Sequence, residues 1–219
     1  MPVWPWRLSG PISGIMIANP TTRLSPSTLS LGLLFIPLLI PQTMNANPTL
    51  VVILFDFAAP MNATWQVVND DVMGGVSASS FRITNGVAKF RGVVSLENNG
   101  GFASVRSLPA RFDAGDAGDA DSFVIRVRGD GRRYKFTARM DQSVDSAIYQ
   151  HAFVTKNGEW QELRLPLKNF AASFRGRVSQ DEPPLIPAGV TSVGFLISDQ
   201  QVGIFQLEIA WIKATRLAP

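Results

Sequence analysis

The stretch Ser122–Met140, SFVIRVRGDGRRYKFTARM, alternates apolar and polar residues on both sides of a central Asp130-Gly131 pair. Alternation over a short run is typical of a β-strand with one buried face. An Asp-Gly pair between two such runs favours a two-residue turn, because the primed turns require positive φ. The stretch therefore predicts a β-hairpin in which Arg128 lies opposite Arg133. The residues predicted to share its core face are Phe123, Ile125, Val127, Tyr134, Phe136 and Ala138.

The opposite face of this predicted hairpin is strongly basic. It carries Arg126, Arg128, Arg133, Lys135 and Arg139. Like charges directly opposite each other on a hairpin repel, so this face requires acidic partners from the chain or from a bound ligand. Internal partners could come from three acids on other predicted strands, Glu159, Glu162 and Glu208. The alternative is a binding face, whose candidate residues are Arg126, Arg128, Arg133 and Lys135.

Short apolar or alternating runs continue from Thr49 towards the end of the chain, separated by clusters of Gly, Asn, Asp and Pro. No stretch keeps a 3.6-residue apolar period over the length of a helix. About eleven strands with little helix predict an all-β fold, an antiparallel β-sandwich or jelly roll. The predicted strands are Leu50–Phe57, Trp65–Val68, Ser79–Ile83, Val87–Leu96, Phe102–Ser107, Ser122–Arg128, Arg132–Met140, Ala147–Thr155, Glu159–Leu165, Val190–Ser198 and Gly203–Lys213.

The charge and cysteine content exclude several kinds of site. The chain has 20 Lys and Arg against 17 Asp and Glu, and no cysteine. Arg7 and Arg23 are the cations before the first acid, Asp56, so the remainder has 18 cations against 17 acids, a net charge of +1. A nearly neutral domain lacks the electrostatic footprint of a nucleic-acid binder. Without cysteine there are no disulfides, thiolate metal sites or cysteine nucleophiles.

Residues 1–48 differ from the rest, with many prolines, no acid and one apolar run, Leu29–Ile40. That run is shorter than the ~20 residues that span a bilayer as a helix. It suits the apolar region of a secretory signal, with Arg23 upstream and the small residue Ala46 downstream. We therefore expect a signal-like leader, an exported or membrane-associated protein, and a folded domain over residues 49–216. The alternative is a disordered extension on a cytoplasmic protein.

Five blocks of the domain carry a family resemblance through their order. They read WQVVNDDVMGGVS (Trp65–Ser77), FRGVVSLENNGGFASVR (Phe90–Arg106), GDGRRYKF (Gly129–Phe136), FVTKNGEWQELRLPLKNFAASFRGR (Phe153–Arg177) and VTSVGFLISDQQVGIFQLEIAWIKA (Val190–Ala214). Their succession over residues 52–214 resembles the complex I intermediate-associated protein 30 family. The resemblance implies a galactose-binding-like jelly roll, related in fold to carbohydrate-binding modules. It also implies a chaperone-like role, because mitochondrial members of that family take part in assembling respiratory complex I.

Two polar loops that end in glycine, Asn69–Gly75 and Glu97–Gly101, form a further candidate binding site. Asn and Asp side chains bond nearby backbone amides, and glycines permit positive φ or close backbone approach. An exposed Met73 would offer an adaptable apolar contact to a protein partner. If the loops meet, their oxygen atoms could also hold calcium, although the spacing matches no defined calcium loop. The alternative is a pair of structural turns. The candidate residues are Asn69, Asp70, Met73, Glu97, Asn98 and Asn99.

The sequence assembles no recognisable catalytic site. Its one histidine, His151, lies in an alternating strand on the same face as Tyr149 and Phe153, and no G-x-S-x-G elbow occurs. Asp70 and Glu97 would act as a glycosidase pair only with their carboxylates about 5–10 Å apart. We therefore predict a protein that is not an enzyme and uses no cofactor.

These observations predict a binding module with three candidate ligands. The first is a protein partner, namely subunits or intermediates of a membrane complex of the respiratory chain. The second is a glycan, as in a carbohydrate-binding module of an exported protein; sugar stacking would require exposed aromatics, whereas Trp65, Trp160 and Trp211 are expected in the core. The third is an acidic lipid or polymer on the basic hairpin face. Nucleic acid is not expected.

Overall fold

The structure is a computed structural model and describes residues 50–59, 64–108, 117–141, 143, 146–174 and 176–216. All of these residues fall in the second of the chain's two units, Asn45–Pro219. They form thirteen β-strands joined by turns and short 3₁₀ segments. The strands are β1 (Leu50–Asp56), β2 (Trp65–Asn69), β3 (Ala78–Thr84), β4 (Val87–Val94), β5 (Ala103–Ser107), β6 (Ser122–Arg128), β7 (Arg133–Arg139), β8 (Ile148–Val154), β9 (Trp160–Pro166), β10 (Ala171–Phe174), β11 (Arg177–Val178), β12 (Ser192–Ile197) and β13 (Gly203–Arg216).

The strands make two antiparallel sheets, which confirms the predicted β-sandwich. One is six-stranded, in the order β3-β4-β13-β6-β9, with β1 pairing along the C-terminal half of β13. The other is seven-stranded, in the order β11-β10-β8-β7-β12-β5-β2. Alternation along each strand turns apolar side chains inward and polar ones outward, as the period of two requires. The short strands β10 and β11 were not predicted, because runs of four and two residues show no readable alternation.

The core lies between the two sheets and is rich in aromatic rings. Phe123 of β6 and Phe136 of β7 meet across the sandwich with their ring centroids 5.2 Å apart. Tyr134 of β7 and Phe205 of β13 meet in the same way at 6.5 Å. All six residues predicted for the core face of the quoted stretch are buried, so that part of the prediction is confirmed.

The predicted hairpin pairing is wrong. Strand β6 pairs with β13 and β9 in the six-stranded sheet, whereas β7 pairs with β12 and β8 in the seven-stranded sheet. The Asp130-Gly131 turn is therefore an arch from one sheet to the other, and the two apolar faces meet across the core. The Asp130 carboxylate holds this arch, because it accepts hydrogen bonds from the Tyr134 hydroxyl at 2.9 Å and the Gln206 amide at 2.9 Å.

The arch also divides the predicted basic face between the two outer surfaces of the molecule. Arg126 and Arg128 lie on the outer face of the six-stranded sheet. Arg133, Lys135 and Arg139 lie on the outer face of the seven-stranded sheet. Pairing each strand with other partners avoids placing Arg128 directly opposite Arg133, an arrangement that like charges disfavour.

Of the three tryptophans expected in the core, Trp160 and Trp211 lie elsewhere. Trp65 does point inward, where it stacks on Phe81 at 4.8 Å and meets Phe55 at 5.0 Å. Trp211 points outward, because the register of β13 shifts between Ile209 and Trp211, and a bulge reverses the alternation. Trp160 also lies on an outer face, beneath two arginines.

Some predictions lie outside the described residues. The leader over residues 1–48, with its apolar run Leu29–Ile40, is one of them and stays a prediction. Within the part of the chain that the structure describes, no helix is long and apolar enough to cross a membrane.

Candidate functional site

A cleft of about 360 Å³ lies over the outer face of the seven-stranded sheet. Its volume is at the lower end of the range of about 300–1,000 Å³ for small-ligand sites. Outward-pointing residues of β2, β5, β12, β7 and β8 line it, so it crosses the strands. The polar lining includes Ser104, Arg106, Lys135, Thr137, Arg139 and Gln150. The apolar lining includes Val68, Phe102, Ile148 and Leu196.

A glycine of β12 lies between two strands that line the cleft. Gly194 of β12 pairs with Arg106 of β5 on one side and Thr137 of β7 on the other. A Cβ added at Gly194 would lie 2.3 Å from the Val105 carbonyl oxygen and 2.9 Å from Thr137 Oγ1. The three strands therefore pack this closely only because residue 194 has no side chain.

Two arginines line the cleft from the strands on either side of β12, with Arg106 opposite Gly194 and Arg139 opposite Ser192. Arg106 donates to the Gln66 side-chain oxygen at 3.2 Å, and Arg139 donates to the Ser146 hydroxyl at 3.2 Å. Among the described residues, neither guanidinium has a carboxylate within 4 Å. Burial, followed by the positive charge of Arg106, lowers the pKa of Arg139. The cleft thus holds two half-buried cations that repel each other.

Lys135, the third cation of the cleft, has an acidic partner. Its ammonium group lies 2.8 Å from Asp199, which Arg133 also approaches to 3.4 Å. Burial alone would raise the pKa of Asp199, but the hydrogen bond and charge of Lys135, with the charge of Arg133, outweigh it and lower that pKa. Asp199 is consequently ionised and shared between two cations at the edge of the cleft.

The two predicted glycine loops do meet, and Asp70 joins them. Its buried carboxylate accepts hydrogen bonds from the Ser77 amide at 2.9 Å, the Gly101 amide at 2.6 Å and the Phe102 amide at 3.2 Å. The Ser77 hydroxyl donates a fourth bond at 2.5 Å. Burial opposes ionisation of Asp70, yet these donors together lower its pKa. Because Phe102 lines the cleft, Asp70 fixes one rim of it.

The other candidate residues of these loops lie around Asp70. Asn69 accepts a hydrogen bond from the Ser79 hydroxyl at 2.6 Å. Met73 is 65% exposed at the tip of the first loop. Glu97, Asn98 and Asn99 form an exposed turn of the second loop, in which the two asparagines take positive φ. No group of three or more potential metal ligands occurs among the described residues.

The Asp70–Glu97 glycosidase pair considered above is not supported by this geometry. The Asp70 side chain is fully buried, and four donors occupy its two oxygen atoms. Such a carboxylate cannot reach a glycosidic bond or activate a water molecule. His151 has contacts typical of a packed side chain and not of a general base. Its ring lies 5.3 Å from that of Phe170, and one ring nitrogen contacts the Ala152 carbonyl oxygen at 3.0 Å.

On the opposite surface, Arg126 and Arg128 are paired within the chain. Arg128 and Lys89 both contact Glu208, which is buried although it lies on the outer face of its sheet. Burial would raise the pKa of Glu208, but these two cations lower it. Arg126 contacts Glu162 at 3.4 Å. Two of the three proposed internal acids therefore serve this face, whereas Glu159 pairs with Lys156 instead.

The structure brings together residues that the sequence did not assemble. Arg106, Gly194 and Gln150 were not singled out, and Arg139 was counted only as part of the basic face. Outward alternation was readable for Arg106 in the run FASVR. The neighbours of that run were not readable, because β5 lies beside β12 and β2, which are far from it in sequence.

A protein-family model described as complex I intermediate-associated protein 30 matches residues 55–209 of this chain. The chain belongs to the complex I intermediate-associated protein 30 family. The matched segment contains every residue that lines the cleft and both glycine loops. The family resemblance carried by the five sequence blocks is thereby confirmed.

Curated relatives bear the same family name. The mouse protein named complex I intermediate-associated protein 30, mitochondrial, is 30% identical over 166 residues, which are 68% of this chain and 51% of the relative. A Neurospora crassa protein of that name is 28% identical over 175 residues, 73% of this chain and 62% of the relative. The chain thus spans about half the length of the mouse relative and less than two thirds of the fungal one.

Solved structures confirm the jelly-roll fold of this family member. A family 11 carbohydrate-binding module of a Clostridium thermocellum cellulase superposes with a TM-score of 0.56 at 13% identity, over 77% of this chain and 96% of that one. The same kind of module in complex with a mixed-linked tetrasaccharide gives a TM-score of 0.51 at 10% identity, over 77% and 98% of the two chains. At such identities the likeness shows the fold alone.

Proposed function

We propose that this chain is a non-catalytic, chaperone-like assembly factor that binds subunits or intermediates of a membrane complex of the respiratory chain. The observation that carries the proposal is the family match over residues 55–209, together with relatives named for association with complex I intermediates. The geometry supports a binding role, because the cleft offers charged and hydrogen-bonding groups around a fixed floor. The buried Asp70 serves the fold rather than a reaction.

The proposal includes two contact surfaces for the partner. One is the cleft on the seven-stranded sheet. The other is the rim formed by the glycine loops, where Val72 and Met73 are both exposed by about two thirds. Because Asp70 ties the two loops to each other, the two apolar side chains sit on a fixed support, although Met73 itself can adapt to a partner. Glu97, Asn98 and Asn99 would flank that contact.

The proposed place of action is the membrane that contains the assembling complex. The mouse and fungal relatives are named as mitochondrial proteins. In this proposal the leader over residues 1–48 directs the chain to that membrane or holds it there, either as a cleaved signal or as an anchor. Fractionation of native cells and mass spectrometry of the mature N-terminus measure both the compartment and the cleavage. Recovery of the intact chain from the soluble cytoplasm would contradict this assignment.

Cross-linking of the tagged full chain in native membranes tests the assembly role. We expect capture of respiratory-complex subunits and a smaller yield of the mature complex after deletion of the gene. Met73→Ser should reduce capture, because it removes an apolar contact from the rim. Val178→Ser is a matched control, because Val178 is 73% exposed in β11, at the sheet edge opposite β2. Normal assembly of the complex in the deletion strain would count decisively against the proposal.

Carbohydrate binding, the alternative function, is favoured by the fold alone. Aromatic stacking is the usual device for holding a sugar ring, yet the described cleft lining includes no Trp or Tyr. Trp65 is in the core, so its substitution would test folding rather than sugar binding. Trp160 is the better probe, because it lies on an outer face. We expect a flat glycan array for the full chain, and a signal that Trp160→Ala removes would favour the alternative.

A further inference from the structure

The cleft contains an unbalanced positive charge that the fold does not require. Arg106, Arg139 and Lys135 line it, and Asp199 is the acid in its described lining. Asp199 already contacts Lys135 and Arg133. Among the residues that the structure describes, no acid is left to balance the charges of Arg106 and Arg139.

The outward-facing arginines of the two sheets differ in whether they have an acidic partner. On the outer face of the six-stranded sheet, Arg128 contacts Glu208 and Arg126 contacts Glu162. On the seven-stranded sheet, Arg139 is more enclosed but donates to the neutral Ser146. Asp141 borders a small neighbouring hollow that Arg106 and Arg139 also line, yet it approaches neither arginine within 4 Å. A half-buried charge without a partner costs stability.

A carboxylate seated between the two arginines would remove this imbalance. Arg106 and Arg139 belong to β5 and β7, which flank β12, and both side chains line the same cleft. Guanidinium groups bind carboxylates through paired hydrogen bonds with matched geometry. One anionic group in this cleft could thus receive donors from both arginines, with Thr137 and Gln150 in the same lining.

We propose that this cleft binds an acidic segment of a partner polypeptide, in which an Asp or Glu carboxylate lies between Arg106 and Arg139. The inference rests on the proposed function, which supplies a protein partner. A peptide fits the lining because Val68, Ile148 and Leu196 can pack against aliphatic side chains that flank the acid. A sugar acid fits less well, because Phe102 is the sole aromatic ring in the described lining.

Binding of hexaglutamate with blocked termini to the full chain tests the inference. Fluorescence anisotropy at low salt measures this binding. Hexaglutamine is the neutral control, and hexagalacturonate is an oligosaccharide control that also carries one carboxylate on each of its six units. We expect hexaglutamate to bind best. Arg106→Gln and Arg139→Gln should each weaken it by on the order of tenfold to a hundredfold, as charged hydrogen bonds do. Arg82→Gln is the matched control, because Arg82 is exposed on β3 of the other sheet, and it should leave the affinity unchanged.

Three outcomes would overturn the inference. They are equal weakening by Arg82→Gln, tighter binding of hexagalacturonate than of hexaglutamate, and no detectable binding of hexaglutamate. If the variants fail to fold, nuclear magnetic resonance of the wild-type chain locates the binding site without them. Titration with hexaglutamate should shift the amide signals of Gly194 and Thr137, and shifts confined to other surfaces would contradict the assignment.

Failure of this inference can be separated from failure of the assembly role. The Arg106→Gln, Arg139→Gln double variant is compared with wild type in the membrane cross-linking experiment. If the wild type captures respiratory subunits and the double variant captures the same amount, the assembly role stands and the cleft is not the docking site. If the wild type captures none while hexaglutamate binds at the cleft, the site stands and the partner is of another kind.

Discussion

Asp70 links a sequence motif to the shape of the binding surface. It lies in the first glycine loop, and its carboxylate receives the amides of Gly101 and Phe102 from the second loop. Two glycines make room for it, because a Cβ at Gly75 would lie 2.4 Å from Asp70 Cγ and one at Gly100 would lie 2.6 Å from Asp70 Oδ2. The glycines and the acid in both motifs therefore serve one buried contact, which corresponds to the structural-turn alternative for Asp70.

Replacing Asp70 by Asn should lower the free energy of unfolding by about 2–4 kcal/mol. The amide keeps one acceptor oxygen but turns an NH₂ group towards backbone donors, so buried hydrogen bonds are lost. Urea denaturation measures the change. Asp71→Asn is the control, because Asp71 is the exposed neighbour in the same loop, and it should change the free energy of unfolding by less than about 0.5 kcal/mol. Equal losses in the two variants would contradict the role of Asp70.

The acid dependence of stability gives a second test of Asp70. Its pKa in the folded protein lies below the ordinary value of 3.8, so the unfolded chain binds a proton more readily. The stabilisation from this carboxylate is thus complete above the unfolded pKa and is lost as pH falls through the folded pKa. The difference in unfolding free energy between wild type and Asp70→Asn should therefore shrink from about pH 5 to about pH 2. A difference that grows over this range would show the opposite sign of the pKa shift.

At the level of strands, two arginines from the same sequence stretch have different surroundings. Alternation correctly placed Arg128 and Arg139 on outward faces and Phe123 and Phe136 in the core. It could not show that β6 and β7 join different sheets, because an Asp-Gly turn suits an arch as well as a hairpin. The decisive contacts of this arch come from Gln206 and Thr155, which lie far along the chain. The outward position of Trp211 was likewise not predictable, because the bulge in β13 interrupts the two-residue alternation from which its inward position was predicted.

Substitution by Met should therefore destabilise the protein at Arg128 but not at Arg139. Arg128→Met should cost about 1–3 kcal/mol, because Glu208 is buried and would retain only Lys89 as a cationic partner. Arg139→Met should leave the thermal midpoint unchanged or raise it, because it removes a half-buried cation that has no acidic partner among the described residues and keeps the aliphatic stem. Calorimetry of the two variants measures the contrast. A similar loss for Arg139→Met would mean that this cation stabilises the fold.

For the whole molecule, the sequence predicted the class of fold but not the cleft. The β-sandwich followed from alternation and turn chemistry, and the family from ordered blocks. The cleft depends on strand order, because Arg106, Gly194, Thr137 and Gln150 form one row across four strands. These residues are separated by as many as 88 positions in the sequence. No local pattern reports that they are neighbours, so the site could be found only after the sheet was known.

Strand β13 pairs with more strands, from more distant parts of the sequence, than its neighbours in the six-stranded sheet do. It pairs with β4 along its first half, with β1 along its second half and with β6 along its other edge. Removal of residues 203–219 should therefore abolish cooperative unfolding, because β1, β4 and β6 each lose a pairing strand and the core loses Phe205, Leu207 and Ile209.

Removal of residues 1–48 is the matched truncation. It leaves every described strand intact, because β1 begins at Leu50. Its thermal midpoint should stay within about 2 °C of that of the full chain, since no described pairing is lost. Calorimetry and near-ultraviolet circular dichroism of both truncated chains measure the difference. A large loss of stability on removing residues 1–48 would show that the predicted domain boundary at residue 49 is wrong and that the leader packs on the sandwich.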